Sequence, residues 1–433
     1  VGRLTTRAET RQVICGGVAI GGGAPVAIQS MTNTFTEDAA ATAAQARALY
    51  DAGADIVRIA VPSMEAARAI PEIRARLEAG GGRDDAGAQC GALDFDASQD
   101  LRRVRRGATE RLAAASQSSA SASLSETPCS ASRLRRSTRS PGSDSQGTDR
   151  RTALVADIHF DYKLAIAAIE AGADKVRINP GNIGGAERVK AVVDAAGAAG
   201  VPIRIGVNGG SLEDDLKGLH DVGRPAEALA ESALRNIDLV RGMGFDALVV
   251  SIKSSDVMVN TEAHKLLAAA TDVPLHIGIT EAGYGSAGLA KSAVGIGALL
   301  AMGIGDTIRV SLTGDPVQEV AAARDILRAV NLLPGGITLV SCPTCGRCRV
   351  DLAALCEEVS AALAEAERGR IRAAAPITVA LMGCAVNGPG EASGADFGVA
   401  CGADGGVFFE KGARGESVPL DKIVETILAA LEK

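Results

Sequence analysis

Aromatic side chains are nearly missing from this chain: its 433 residues include no Trp, three Tyr and seven Phe. Single-stranded nucleic acid is held without sequence preference on aromatic faces, so that class of binder is excluded. An excess of positive charge is missing as well. The net charge is −7, which exerts no general pull on polyanions, so an anionic ligand must be gripped by a local group of Arg and Lys. No apolar run reaches the roughly 18 residues of a membrane span. The opening segment Val1-Gly-Arg-Leu-Thr-Thr-Arg7 carries no apolar signal core. A cytoplasmic chain is therefore expected. Cysteines there serve more often as metal ligands or buried thiols than in disulfides, and nine of them, an odd number, agree with that. What is plentiful is apolar: 47% of residues are hydrophobic, enough for a large core and more than one domain.

From about residue 24 to 316 short apolar runs alternate with Ala-rich helical stretches. The runs are Val26–Met31, Ile56–Val61, Leu154–His159, Lys175–Asn179, Ile203–Asn208, Ala247–Lys253, Leu275–Thr280 and Thr307–Leu312. Continuous apolar strands separated by helices such as Ala39–Ala52, Tyr162–Ala171 and Gly184–Ala199 predict a parallel sheet. Eight of them predict a closed (β/α)8 barrel. Charged residues interrupt these strands at comparable places: Arg58, Arg177, Arg204, Lys253 and Arg309. Any one of them reads equally well as half of a local salt bridge. Five together at the C-terminal ends of barrel strands predict a cationic mouth, and hence a small, strongly anionic substrate such as a diphosphate.

Residues 80–151 break the pattern. They are rich in Arg and Ser, contain no Lys and lack sustained periodicity apart from a possible helix over Leu101–Ala115. This segment reads as a disordered insertion. It leaves from the N-terminal face of the barrel, opposite the face where active sites form. Cys90 and Cys129 lie inside it. The expected organisation is a barrel domain over residues 1–335, carrying the insertion, and a smaller α+β domain over 336–433. In the second domain Ile337–Ser341 and Ile377–Met382 read as strands, Asp351–Arg368 as an amphipathic helix, Phe397–Val399 and Gly406–Glu410 as a strand pair, and Leu420–Lys433 as a closing helix.

Both strands of this smaller domain end at cysteines: Cys342-Pro-Thr-Cys345-Gly-Arg, and Gly383-Cys384-Ala-Val-Asn-Gly-Pro-Gly-Glu391. Thiols two residues apart in a turn, a further thiol and a carboxylate in a Gly/Pro-rich loop form a ligand set for an iron–sulfur cluster with one weak, oxygen-donating corner. Spacing alone leaves alternatives open. Cys348 extends the first motif to C-x2-C-x2-C and competes with Cys384 as third ligand, and four of these thiols also suit a closed zinc site. Cys15, Cys356 and Cys401 sit in apolar surroundings and read as packed thiols.

Long motifs then point to one family. Gln29-Ser-Met-Thr-Asn-Thr34, Asp157-Ile-His-Phe-Asp-Tyr162, Arg177-Ile-Asn-Pro-Gly-Asn-Ile-Gly184 and Arg204-Ile-Gly-Val-Asn-Gly-Gly-Ser211 occur in order. Ser251-Ile-Lys-Ser-Ser255, His276-Ile-Gly-Ile-Thr-Glu-Ala-Gly283 and the two cysteine motifs follow. Over nearly everything outside residues 80–151 the chain resembles the bacterial 4-hydroxy-3-methylbut-2-en-1-yl diphosphate synthases of the non-mevalonate isoprenoid pathway. The resemblance implies a TIM barrel followed by a cluster domain, with a [4Fe–4S] cluster held by Cys342, Cys345, Cys384 and Glu391, leaving Cys348 out. It implies an oxidoreductase that opens and dehydrates 2-C-methyl-D-erythritol 2,4-cyclodiphosphate with two single electrons from reduced flavodoxin or ferredoxin. The five strand cations, with Asn179, Asn208, Ser211, Ser254, His276 and Ser311, would then bind the diphosphate. Glu281 would be the acid that helps a hydroxyl leave, with Asp157 and His159 orienting substrate or Glu281. For His159 and His276 a purely structural role weighs about as much. A head-to-tail homodimer is implied, one protomer's cluster domain covering the other's barrel, with no nucleic-acid or membrane partner. The competing readings are a non-redox barrel transferase with a structural zinc, a cluster carrier without catalysis, and a copy inactivated by its insertion.

Overall fold

The computed structural model describes residues 4–79, 152–368, 375–384, 392 and 394–432. The insertion, its possible helix, Cys90, Cys129 and Glu391 lie outside them.

Eight strands form one parallel sheet: β3 (Ala27–Met31), β4 (Ile56–Ala60), β5 (Ala153–Asp157), β6 (Lys175–Ile178), β7 (Ile203–Asn208), β8 (Leu248–Lys253), β9 (His276–Ile277) and β10 (Thr307–Ile308). Their order is β8-β7-β6-β5-β4-β3-β10-β9, and a parallel bridge from Val250 to Leu275 joins the two ends into a barrel. Period-two alternation sorts the side chains. Val57, Ile59, Leu154, Ala156, Val176, Ile178, Ile203, Ile205, Leu248 and Val250 point outward into one large core shared with the surrounding helices. Fully burying each large aliphatic side chain contributes about 1.5–3 kcal/mol. Several helices start at an Asp whose side chain accepts from the first free backbone N–H groups: Asp38, Asp161, Asp256 and Asp315.

The inward positions differ from end to end. At the N-terminal end Ile56, Ala153, Val155 and Val249 pack on a two-stranded hairpin, β1 (Val13–Cys15) and β2 (Val18–Ile20), which plugs the barrel with Val13, Cys15 and Ile20. The hairpin has no counterpart in the sequence reading, because three-residue strands are too short for alternation to register. Strands β9 and β10 are two residues each, shorter than expected, although Arg309 N–H still donates to the Ile277 carbonyl at 3.0 Å. Strand separation is minimal there: a Cβ on Gly278 would lie 2.5 Å from the Arg309 carbonyl oxygen.

The C-terminal part has a five-stranded sheet in sequence order: β11 (Ile337–Ser341), β12 (Ile377–Met382), β13 (Phe397–Gly402), β14 (Gly405–Glu410) and β15 (Ala413–Val418). Strands β11, β12 and β13 run parallel, and β14 and β15 extend the sheet as antiparallel hairpins. The helices Leu352–Arg368 and Ile423–Leu431 cover one face through Leu352, Val359, Leu363, Ile423 and Ile427. Strand β15 was not expected: Ala-Arg-Gly-Glu-Ser-Val is exposed along most of its length and has no apolar face to read. Among the described residues no helix is long and apolar enough to cross a membrane.

Candidate active site

The alternation that puts Ile56 inside the barrel also puts Arg58 inside, two residues nearer the C-terminal end. Asp157, Arg177, Arg204 and Lys253 follow by the same rule. Arg58 and Arg177 are 2% exposed and Arg204 is 0%, so these charges have left water altogether. Their compensation is concentrated in Asp157. Its Oδ2 lies 3.5 Å from Arg58 Nε, and its Oδ1 accepts from Arg177 Nη1 at 3.1 Å. Burial by itself would raise the Asp157 carboxyl, yet Arg58 and Arg177 hold it well below the usual carboxylate range. Arg177 Nη1 also lies 3.0 Å from His159 Nε2. Burial outweighs Asp157 at His159 and lowers the imidazole below its ordinary value.

The remaining cations are under-compensated. Arg204 reaches Gln29 Oε1 at 3.5 Å across the barrel, from β7 to β3. Its Nε and Nη2, like Arg58 Nη1 and Arg177 Nε, meet no acceptor among the described residues. Lys253 is pulled down to about 6 by burial and then by Arg177, Arg58 and Arg204. Lys175, on β6 and fully buried, is a further cation that sequence reading passed over. Its Nζ has no acceptor among the described residues, and burial brings it down to about 8. It stands first in its strand, where a Lys reads as a solvated strand end, so only the tertiary fold reveals it. Met31 was also passed over. Its Sδ sits 3.2 Å from Nε and 2.9 Å from Nη2 of Arg58, a weak acceptor that leaves the guanidinium charge available.

Arg58, Lys253, His276, Arg309 and Ser311 surround a cavity of about 40 Å³ together with the Gly278–Thr280 segment. That exceeds the roughly 10–15 Å³ that one water requires. His276 is buried, with Nδ1 2.7 Å from Thr307 Oγ1. Burial and then the neighbouring Arg204 and Lys175 keep it far below its ordinary value, hence neutral. The neutral residues form a separate chain: Asn179 Nδ2 donates to Ser211 Oγ at 2.7 Å, and Ser211 Oγ donates to the Asn208 carbonyl at 3.1 Å. Ser254 Oγ accepts from the Asp256 backbone at 3.2 Å. Glu281 lies on the exposed loop after β9 at φ +52°. That left-handed backbone is uncommon for a residue with a long side chain.

The cysteine loops are brought together by strand pairing. Because β11 and β12 are parallel with Ser341 opposite Leu381, Cys342 and Gly383 leave the same edge of the sheet. Gly383 N–H donates to Cys342 Sγ at 3.3 Å, and Arg349 N–H donates back to the Gly383 carbonyl at 3.4 Å. Cys345 is exposed beside them. Cys348 stands at the same place: a Cβ on Gly383 would lie 2.6 Å from its Sγ, and its thiol donates to the Val350 carbonyl at 3.3 Å. Among the described residues no group of three or more His, Cys, Asp or Glu stands at metal-binding separation. The donor chemistry nevertheless fits a cluster. A backbone N–H aimed at Cys342 Sγ stabilises a thiolate, and Cys384 directly follows the residue that supplies it. Cys15 and Cys401 are fully buried, and burial pushes each thiol up to about 11, as packed thiols require.

Residues 10–83 and 136–324 match the GcpE TIM-barrel domain, and residues 338–433 match the GcpE protein C-terminal domain. The chain is 42% identical over 430 residues to the 4-hydroxy-3-methylbut-2-en-1-yl diphosphate synthase (flavodoxin) of Caldanaerobacter subterraneus, covering 99% of this chain and 98% of that protein. It is 44% identical over 428 residues to the enzyme of the same name from Geobacter sulfurreducens, covering 99% and 98%. It is likewise 42% identical over 434 residues to that of Desulfotalea psychrophila, covering 99% and 97%. With both domains matched and relatives aligned from end to end, this chain belongs to the GcpE family of enzymes, the 4-hydroxy-3-methylbut-2-en-1-yl diphosphate synthases.

Proposed function

We propose that this enzyme converts 2-C-methyl-D-erythritol 2,4-cyclodiphosphate to (E)-4-hydroxy-3-methylbut-2-en-1-yl diphosphate. The reaction consumes two electrons and two protons and releases one water. The observation that carries the reading is the set of buried, under-compensated cations at the C-terminal end of the barrel, with Asp157 as their shared carboxylate. Unpaired charge in a dry interior is expensive, and a diphosphate is the kind of ligand that offsets it. Arg58, Arg177, Arg204, Lys253 and Arg309 bind the diphosphate oxygens, and Ser311 and neutral His276 line the innermost position. Asn179, Asn208, Ser211 and Ser254 add neutral hydrogen bonds at the rim. Asp157 and His159 orient the substrate through Arg177, which both contact, and Glu281 delivers the proton that lets a hydroxyl leave as water.

The cluster domain is assigned to residues 336–433 and the barrel to 1–335. Cys342, Cys345, Cys384 and Glu391 would hold a [4Fe–4S] cluster, which when bound would supply electrons one at a time from reduced flavodoxin or ferredoxin. The head-to-tail homodimer that family membership implies is supported by large apolar side chains in the segments that follow barrel strands: Phe35, Phe160, Met258 and Tyr284 are 87%, 73%, 76% and 66% exposed. In so aromatic-poor a chain they fit a surface that a second copy covers. A cytoplasmic location follows from the electron donors.

The test is anaerobic purification, iron and sulfide analysis, and turnover of the cyclodiphosphate with a reducing system. The expected result is a brown protein with four irons per chain and product formation. A colourless zinc protein overturns the cluster assignment, and a brown protein without turnover overturns the substrate assignment.

A further inference from the structure

We propose that Glu319 is the positioning residue of the anion site, one buried carboxylate that sets Arg309 and locks the two loops carrying Ser311 and Glu281. The proposal rests on the substrate reading above. Glu319 lies in the first turn of the helix Pro316–Ala329 and is 5% exposed. The helix does not need it as a cap, because Asp315 already accepts from Val317 N–H. Its oxygens are used by the barrel mouth instead. Oε1 accepts from Leu312 N–H at 3.0 Å, directly after Ser311. Oε2 lies 3.4 Å from Ser30 Oγ at the end of β3 and 3.6 Å from Arg309 Nη2.

The reach of this carboxylate extends one loop further. Thr313 N–H donates to the Gly283 carbonyl at 3.1 Å, which ties the loop after β10 to the loop bearing Glu281. Both loops also press on the helix Gly285–Ala301, where a Cβ on Gly288 would lie 2.8 Å from the Gly283 carbonyl carbon and 2.9 Å from Leu312 Cδ2. A residue held at φ +52° needs such support. Glu319 Oε2 pairs with Arg309 Nη2 at 3.6 Å, while Arg309 Nε has no acceptor among the described residues and belongs to a side chain that lines the cavity. The carboxylate thus anchors one nitrogen of the guanidinium and leaves Nε without an acceptor among the described residues.

Two variants separate the two tasks. In Glu319→Gln the amide oxygen keeps Leu312 N–H, while the amide NH2 faces Arg309, donor against donor. Steady-state kinetics with saturating reductant is expected to show KM for the cyclodiphosphate raised about tenfold with kcat within about twofold. Glu319→Ala frees the loop as well, so KM rises and kcat falls, each about tenfold or more. A readout without turnover is stabilisation by inorganic pyrophosphate, which raises the melting temperature of the wild type and is expected to do so far less in both variants. The proposal is overturned if Glu319→Gln matches the wild type in both constants, or lowers kcat with KM unchanged. If Glu319→Ala fails to fold, the Gln variant alone decides. A wild type that neither responds to pyrophosphate nor turns over instead removes the substrate reading.

Discussion

At the scale of single residues, the site is governed by what burial does to charge. Lys253 sits at about 6 because burial and three guanidinium groups oppose its protonation, and an anion binds its ammonium form. Anion affinity is therefore constant below about pH 6 and falls above it, by about tenfold per pH unit until the bound form also loses its proton. Sulfate, which does not titrate in this range, is the suitable probe. Calorimetry between pH 5.5 and 8 is expected to show this fall, and Lys253→Met should flatten it. Asp157 poses the opposite case. Its carboxyl is held low by Arg58 and Arg177, so its stabilisation is present above the ordinary carboxylate pKa and is lost only as pH falls below it. Asp157→Asn leaves two buried guanidinium groups without their counter-charge and is expected to cost about 3–5 kcal/mol, read from the denaturant midpoint.

At the scale of elements, alternation along strands does most of the positioning. It was legible in the sequence wherever a strand is buried on both faces, as in Ile56-Val-Arg-Ile-Ala, where one charge among apolar residues marks the inward face. It was illegible where the element is very short (β1 and β2) or exposed (β15), because neither leaves a hydrophobic period. Two glycines show how tightly the elements fit the site. A Cβ on Gly206 of β7 would fall 2.5 Å from Arg177 Nε, so Gly206→Ala is expected to displace that guanidinium from Asp157 and His159 and lower kcat/KM about 100-fold. At the end of β12, a Cβ on Gly383 would fall 2.6 Å from Cys348 Sγ. Gly383→Ala is expected to lower iron retention after anaerobic gel filtration, and adding Cys348→Ala should restore it. Full iron content in the single variant would show that Cys348 yields freely and that this packing does not shape the cysteine loops.

At the scale of the whole molecule, the barrel and the cysteine domain share one chain while residues 80–151 interrupt the first of them. The helix Met64–Ala79 returns to the N-terminal end of the barrel, where β5 then starts at Ala153. Replacing residues 80–151 by a short linker is therefore expected to preserve turnover, and loss of turnover in a folded product would assign the segment a role. If cluster and mouth act across a dimer, mixing and refolding Arg58→Met with Cys345→Ala should regenerate about a quarter of wild-type activity, since half the dimers would carry one intact pair. No recovery in mixed dimers would favour action within one chain.

The sequence by itself determined the barrel, the cationic character of its mouth and the two cysteine loops, because each is written in local periodicity or spacing: apolar runs of strand length, a charge on the inward parity, thiols two residues apart. Only the tertiary structure decided which charges are shared and which stand alone. Asp157 between Arg58 and Arg177, Lys175 buried without an acceptor among the described residues, and Glu319 holding Arg309 from a helix join groups that are distant in the chain. Their energies depend on burial and separation, which no linear pattern records.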